Sequence, residues 1–277
     1  MDVKRILEGL RSRDVHAHKG DFGKLLLLCG SRGYTGAAAL AAMGALRVGA
    51  GLVFLGVPES IYAIEAVKLM EPIVFPLPDE KGMLSAEAVE TVTEKLSGMD
   101  AVLMGPGCGR SAGTEAVMTY VLEKFEGPVV LDADGINVIA SHKDVLRSRV
   151  APTILTPHEG EFARFTGRQI RNRSREAMGL ALDMGCIVLL KGHETVVTDG
   201  KICYINSTGN PGMAVGGSGD VLSGIITGLL GQGLSPMEAA ACGAWLHGAA
   251  GDLCADELGQ LSMLPSDMLD ALPRLLK

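Results

Sequence analysis

The chain has 277 residues, 47% hydrophobic and 21% charged, and its 25 Lys and Arg against 32 Asp and Glu leave a net charge of −7. That balance supports a large buried core and excludes a disordered chain. The acidic surplus and the lack of Lys/Arg clusters exclude a nucleic-acid or anionic-membrane partner.

Short β-branched or Leu-rich runs alternate with helix-length segments along the chain. Strands are expected at Lys24–Cys29, Leu52–Val57, Ile73–Phe75, Ala101–Met104, Val129–Asp132, Thr153–Leu155 and Ile187–Leu190. Between them, helical patterns cover Gly36–Val48, Ser85–Leu96, Gly113–Phe125 and Ser174–Met184. Many of the strand runs are uniformly apolar rather than alternating, as parallel strands covered by helices on both faces should be. Near Thr195–Ile205 the pattern changes to two short runs around Asp199-Gly200, which predicts an antiparallel hairpin closing one sheet edge. Helices should follow at Gly219–Leu230, Pro236–Ala255 and Pro265–Leu275. This order predicts an α/β layer fold and one domain over residues 1–277.

The stretch Gly36–Pro58 holds 23 residues with a single charge, but Gly49-Ala50-Gly51 divides it into a helix and a strand. No signal-peptide pattern opens the chain, and none of the six cysteines forms a CxxC pair. These features predict a soluble cytoplasmic protein with reduced thiols and no zinc site.

In open parallel sheets, ligands bind outside the carboxyl ends of the strands. The strongest cluster there is Gly216-Gly217-Ser218-Gly219-Asp220, which runs into an apolar helix. Its glycines free the backbone to turn amides toward one point, and the helix dipole adds positive potential, so an anion hole for phosphoryl groups is expected. Asp220 stands at the first turn of that helix, either as an ordinary N-terminal acid or as a base that takes a proton from an attacking hydroxyl. No Gly-Lys-Ser/Thr follows, so this is not a Walker A loop.

Four further clusters follow strands. Gly30–Gly36 and Gly105–Arg110 are each either a ligand surface or the mark of close helix–sheet packing. In Thr156-Pro157-His158-Glu159-Gly160-Glu161, Thr156 is a candidate helix cap and His158 a binding residue. Glu161 could orient magnesium through water or complement the helix dipole. Lys191-Gly192-His193-Glu194-Thr195 suits a nucleotide phosphate or ribose, or a tight turn into the hairpin. Asp132 and Asp134 are left as metal, substrate or capping groups.

Taken together, these clusters resemble the NAD(P)H-hydrate dehydratase family, a metabolite-repair branch of the ribokinase-like superfamily. The likeness runs from His18-Lys19-Gly20-Asp21-Phe22-Gly23-Lys24 through Gly105-Pro106-Gly107, Asp132–Asn137, Thr156–Glu161 and Lys191–Thr195 to Gly216–Asp220. It implies a ribokinase-like three-layer α/β/α sandwich with eight or nine strands, mostly parallel, and a homotetramer. It also implies ADP-driven dehydration of the S epimer of NADH or NADPH hydrated at C6, with Mg2+ as cofactor. Phosphorylation of the C6 hydroxyl would make it a leaving group, and AMP and phosphate would be the products. On this resemblance Asp220 is the base, and Gly217, Ser218 and Gly219 form the anion hole. Lys191, Gly192, His193, Glu194, Thr195 and Gly219 would bind the nucleotide. Ala37, Ala38, Ala39, Gly107 and His158 would meet the hydrated dinucleotide together with Asp220, and Glu161 would be the acid near magnesium. Some members carry an added N-terminal epimerase domain. About 20 residues precede the first strand here, too few for one, so a separate epimerase is expected. The rival readings are a kinase of a small alcohol, of hydroxyethylthiazole or hydroxymethylpyrimidine type, and a nucleotide sensor without turnover.

Overall fold

The Leu25–Leu28 run is apolar at every position because both faces of its strand are covered. Leu25 and Leu27 join one core cluster and Leu26 and Leu28 the other, and all four are fully buried. In the computed structural model, which describes residues 1–10 and 13–277, that strand belongs to a nine-stranded sheet.

In chain order, α1 (Val3–Glu8) and a 3-10 turn precede β1 (Lys24–Leu28), α2 (Thr35–Arg47), β2 (Leu52–Pro58), α3 (Glu59–Lys68) and β3 (Ile73–Leu77). A separate antiparallel ribbon pairs β4 (Asp79–Glu80) with β5 (Met83–Leu84). Next come α4 (Ala88–Leu96), β6 (Ala101–Met104), α5 (Ala112–Lys124), β7 (Val129–Leu131), α6 (Asp134–Ile139) and α7 (Lys143–Ser148). They lead to β8 (Thr153–Leu155), α8 (Glu159–Thr166), α9 (Arg173–Met184), β9 (Ile187–Leu190), β10 (Val196–Thr198) and β11 (Cys203–Ile205). The chain closes with α10 (Ser218–Gly231), α11 (Pro236–Leu258) and α12 (Pro265–Leu275).

The sheet order is β11-β10-β9-β8-β7-β6-β1-β2-β3, parallel from β9 to β3, with β10 antiparallel to both of its neighbours. Helices α1, α2, α10, α11 and α12 cover one face, and α4 to α9 cover the other. This is the expected three-layer α/β/α sandwich. Because β1 pairs with both β2 and β6, the strand order reverses at β1, and a crevice opens past the ends of β1 and β6.

Several expected bounds shift for physical reasons. Strand β3 continues through Pro76 because it is an edge strand, where a missing N–H costs no ladder bond. The Asp199-Gly200 turn is a four-residue loop, since the Asp199 carboxylate accepts from the Lys201 and Ile202 amides and delays the second strand to Cys203. Thr156 is not the cap of α8: its hydroxyl donates to Leu131 O, and His158 takes the capping position. Helices α1, α3, α6 and α7 and the β4–β5 ribbon had no expectation; all but α3 are six residues or shorter, too brief to show a helical period.

Backbone contact between α2 and α10 fixes where α10 begins. A Cβ on Gly224 would lie 2.1 Å from Ala41 O, and one on Gly44 would lie 2.7 Å from Val221 O, so only glycine permits this crossing. Among the described residues, no helix is long and apolar enough to cross a membrane. All six cysteines are free, and only Cys203 is exposed.

Candidate active site

Gly217 caps α10 at φ 98°, a left-handed conformation that turns the chain into the helix. The Val221 amide already bonds to Gly217 O, while the amides of Gly219 and Asp220 have no protein acceptor among the described residues. The Gly217 amide likewise has no acceptor among the described residues, and these free donors at the positive end of a 14-residue helix make a ready anion site. The Ser218 amide is different, because it donates to Val215 O at 3.3 Å.

Four charged groups converge on this helix start. Lys191 Nζ lies 2.7 Å from Asp132 Oδ1 and 3.7 Å from Glu161 Oε2. A Cβ placed on Gly219 would sit 3.3 Å from that same Nζ and 3.7 Å from Asp132 Oδ2. The pair therefore faces the anion site directly. Burial works against the Lys191 ammonium, yet Asp132, Glu161 and Asp220 hold it above the ordinary lysine range, so it stays charged. Burial, followed by the neighbouring Asp132 carboxylate, pushes the Asp220 carboxyl up to about 7 against the pull of Lys191. A carboxyl poised there can accept a proton near neutral pH.

Glu161 is 5% exposed and serves α8 first. Its Oε2 accepts from the His158 amide at 2.9 Å, and His158 Nδ1 accepts from the Gly160 amide at 2.9 Å in return. With Nδ1 accepting, the neutral His158 ring carries its proton on Nε2, 3.4 Å from Glu161 Oε1. The chemistry of the donors bears on magnesium. Asp132 is committed to Lys191 and Glu161 to the α8 cap, and no cluster of three metal-ligating side chains occurs among the described residues. This set fits an ion carried by nucleotide phosphates, with Glu161 reaching it through water.

All five residues from Lys191 to Thr195 line a cavity of about 920 Å³, together with His158, Ser218 and Gly219. Arg173 of α9 braces that loop from below, donating to Leu190 O at 2.9 Å and Lys191 O at 3.1 Å while pairing with Glu159. Gly192, at φ 146°, leaves no room for a Cβ beside the Arg173 guanidinium, so the loop's path depends on glycine.

Ala37 and Gly107 lie outside this cavity, at the crevice between β1 and β6, whereas Ala39, also outside it, packs partly buried against the core. A Cβ on Gly107 would be 2.8 Å from Ala37 Cβ, and the two loops are stitched by Gly30 N to Pro106 O and Ser31 Oγ to Gly107 O, each at 2.7 Å. Ala38 is fully buried against Gly30, so its side chain packs the helix and offers no ligand surface. The Asp220 charge is felt by Lys191 and by the buried thiols of Cys29 and Cys108. Asp134 turns away, binding the Gly109 amide at 3.0 Å and Arg110 Nε at 2.9 Å.

Sequence reasoning passed over Arg173 and His247, each carried by a helix whose pattern gives no sign of a site. It left Asp132 open; position at a strand end is the signal that pointed there.

Comparison with known proteins places this geometry. Residues 25–274 match the family model described as NAD(P)H-hydrate dehydratase. The bifunctional NAD(P)H-hydrate repair enzyme Nnr of Moorella thermoacetica is 44% identical over 275 residues, 97% of this chain and 52% of that protein. The chain thus spans about half the length of the curated relatives it matches. The ADP/ATP-dependent NAD(P)H-hydrate dehydratase of Bacillus subtilis, crystallised with ATP and Mg2+, superposes with a TM-score of 0.81 at 31% identity, covering 97% of this chain and 95% of that one. Hydroxyethylthiazole kinase of Pyrococcus horikoshii shares the fold alone, with a TM-score of 0.67 at 17% identity over 98% of this chain and 92% of that one. A family model matched over residues 25–274 and a relative 44% identical over 97% of the chain lead to one conclusion: the chain belongs to the NAD(P)H-hydrate dehydratase family.

Proposed function

We propose that this protein restores NADH and NADPH from the S epimer of their C6 hydrates, using ADP as phosphoryl donor. The observation that carries the reading is the start of α10, where Asp220 follows amides with no protein acceptor and the Lys191–Asp132 pair faces Gly219. Hydroxide leaves carbon poorly, whereas phosphate leaves readily when the ring nitrogen donates electrons. Asp220 takes the proton of the C6 hydroxyl as its oxygen attacks the β-phosphorus of ADP, and the bond to AMP breaks. The Gly219 and Asp220 amides and Lys191 stabilise charge on the transferring phosphoryl group. The C6–O bond then breaks, a C5 proton is lost and inorganic phosphate departs.

Lys191, Gly192, His193, Glu194, Thr195 and Gly219 hold the adenine nucleotide, and the Ala37–Gly107 crevice with His158 holds the hydrated dinucleotide. Magnesium bound to the nucleotide phosphates would offset their charge, with Glu161 and Asp132 as outer partners through water. By the family resemblance the enzyme acts as a cytoplasmic homotetramer, and the R epimer needs an epimerase to become substrate.

The test is incubation with hydrated NADH, and in a parallel arm with hydroxyethylthiazole or hydroxymethylpyrimidine, each with either ADP or ATP. Recovery of the reduced-nicotinamide absorbance, faster with ADP, is the expected result. Accumulation of a stable phosphate ester from a small alcohol, without recovery, would move the assignment to a kinase.

A further inference from the structure

His247 is 8% exposed and lies on α11, outside every role assigned above. Its Nε2 is 3.2 Å from Ser218 Oγ, and both residues line the cavity beside Gly219. Burial pushes the imidazole down to about 4, so the ring is neutral at physiological pH. A neutral ring has one N–H and one bare nitrogen, and the choice between them decides what the serine hydroxyl can do. If Nε2 is bare, it takes the hydroxyl hydrogen. If Nε2 carries the proton, Ser218 Oγ accepts it and its own hydrogen turns elsewhere.

The Ser218 amide is occupied by Val215 O, so this residue can serve the anion site only through its hydroxyl. We propose that His247 is a positioning residue that donates through Nε2–H to Ser218 Oγ and thereby aims the Ser218 hydroxyl hydrogen at the transferring phosphoryl oxygen. Oγ then becomes a further donor beside the Gly219 and Asp220 amides. The interaction matters most as charge builds on that oxygen, so kcat should carry the effect and KM should not. The inference rests on the phosphoryl-transfer reading above.

Two measurements test it. In the first, kcat and KM are compared for His247→Ala, Ser218→Ala and the double variant, with His247→Gln restoring an amide donor at similar reach. Each single Ala variant should lose roughly 10- to 100-fold in kcat with KM nearly unchanged. The double variant should lose no more than either single one, and His247→Gln should recover most of the loss. In the second, the tautomer is read from the ring 15N shifts of the intact protein with and without Mg-ADP, and the His247 signal is assigned by its disappearance in His247→Gln. A proton on Nε2 in both states is expected. A proton on Nδ1, or losses that multiply in the double variant, would overturn the proposal. If the wild-type protein repairs no hydrate, the functional reading fails and the tautomer alone decides this one.

Discussion

Lys191 Nζ sits 2.7 Å from Asp132 Oδ1, and the missing side chain of Gly219 leaves the pair facing the start of α10. The two charges act on Asp220 in opposite directions, Asp132 raising its carboxyl and Lys191 lowering it. With Asp220 as the proposed base, kcat/KM should rise with pH to a plateau above about 7 in the wild type. Asp132→Asn should move that limb to lower pH, and Lys191→Met should move it higher. Lys191→Met also strands a buried carboxylate, at a cost of about 3–5 kcal/mol in stability. A pH profile of each variant checks the signs; limbs that move together would contradict the assignment.

Asp220→Asn should lower turnover by roughly 10²–10⁴-fold while nucleotide affinity stays within a few-fold. It should also stabilise the fold at alkaline pH. The Asp220 carboxyl loses its proton near 3.8 when unfolded and near 7 when folded, so its favourable contribution is complete below 3.8 and disappears as pH rises through 7. Removing the charge should yield about 1–2 kcal/mol at pH 8, a figure reduced for its partial solvent exposure. Thermal melts at pH 5 and pH 8 measure this; the gain should be smaller at pH 5.

Glycines near the site divide into two kinds. Gly219→Ala meets only the flexible end of Lys191 and a carboxylate oxygen, so it should fold normally and raise the KM for nucleotide by filling the anion site. Gly224→Ala drives a Cβ into the Ala41 carbonyl and should cost more than about 3 kcal/mol by forcing α2 and α10 apart. Urea melts together with nucleotide titrations separate the two.

Arg173→Met removes both donors that hold the Leu190 and Lys191 carbonyls. The Lys191–Thr195 loop should loosen, and KM for nucleotide should rise roughly 10-fold through ordering entropy. Steady-state kinetics with saturating hydrate reads this, and an unchanged KM would mean that the loop needs no brace.

Much of this was legible in the sequence because it follows local rules. Strand runs such as Ala101–Met104, Thr153–Leu155 and Ile187–Leu190 appear at their expected bounds, since a continuous apolar run between turns has one economical use in a parallel sheet. At Gly216–Asp220 the glycine turn into the helix is seen at Gly217, while the Ser218 amide, expected to face the anion site, donates to Val215 O instead. What could not be read is what depends on distant partners. That Ala38 packs rather than binds, and that Lys191 pairs with Asp132 across 59 positions, both require the sheet order first. His247 lies in the middle of an Ala- and Gly-rich helix, where nothing local distinguishes it from a core histidine.

The most direct test follows the oxygen. Hydrated NADH labelled with 18O in its C6 hydroxyl is converted with unlabelled ADP, and the released phosphate is analysed by mass spectrometry. Attack of that hydroxyl on phosphorus, followed by C–O cleavage, predicts one 18O in every phosphate. Unlabelled phosphate with the label in water would show that the hydroxyl leaves without being phosphorylated.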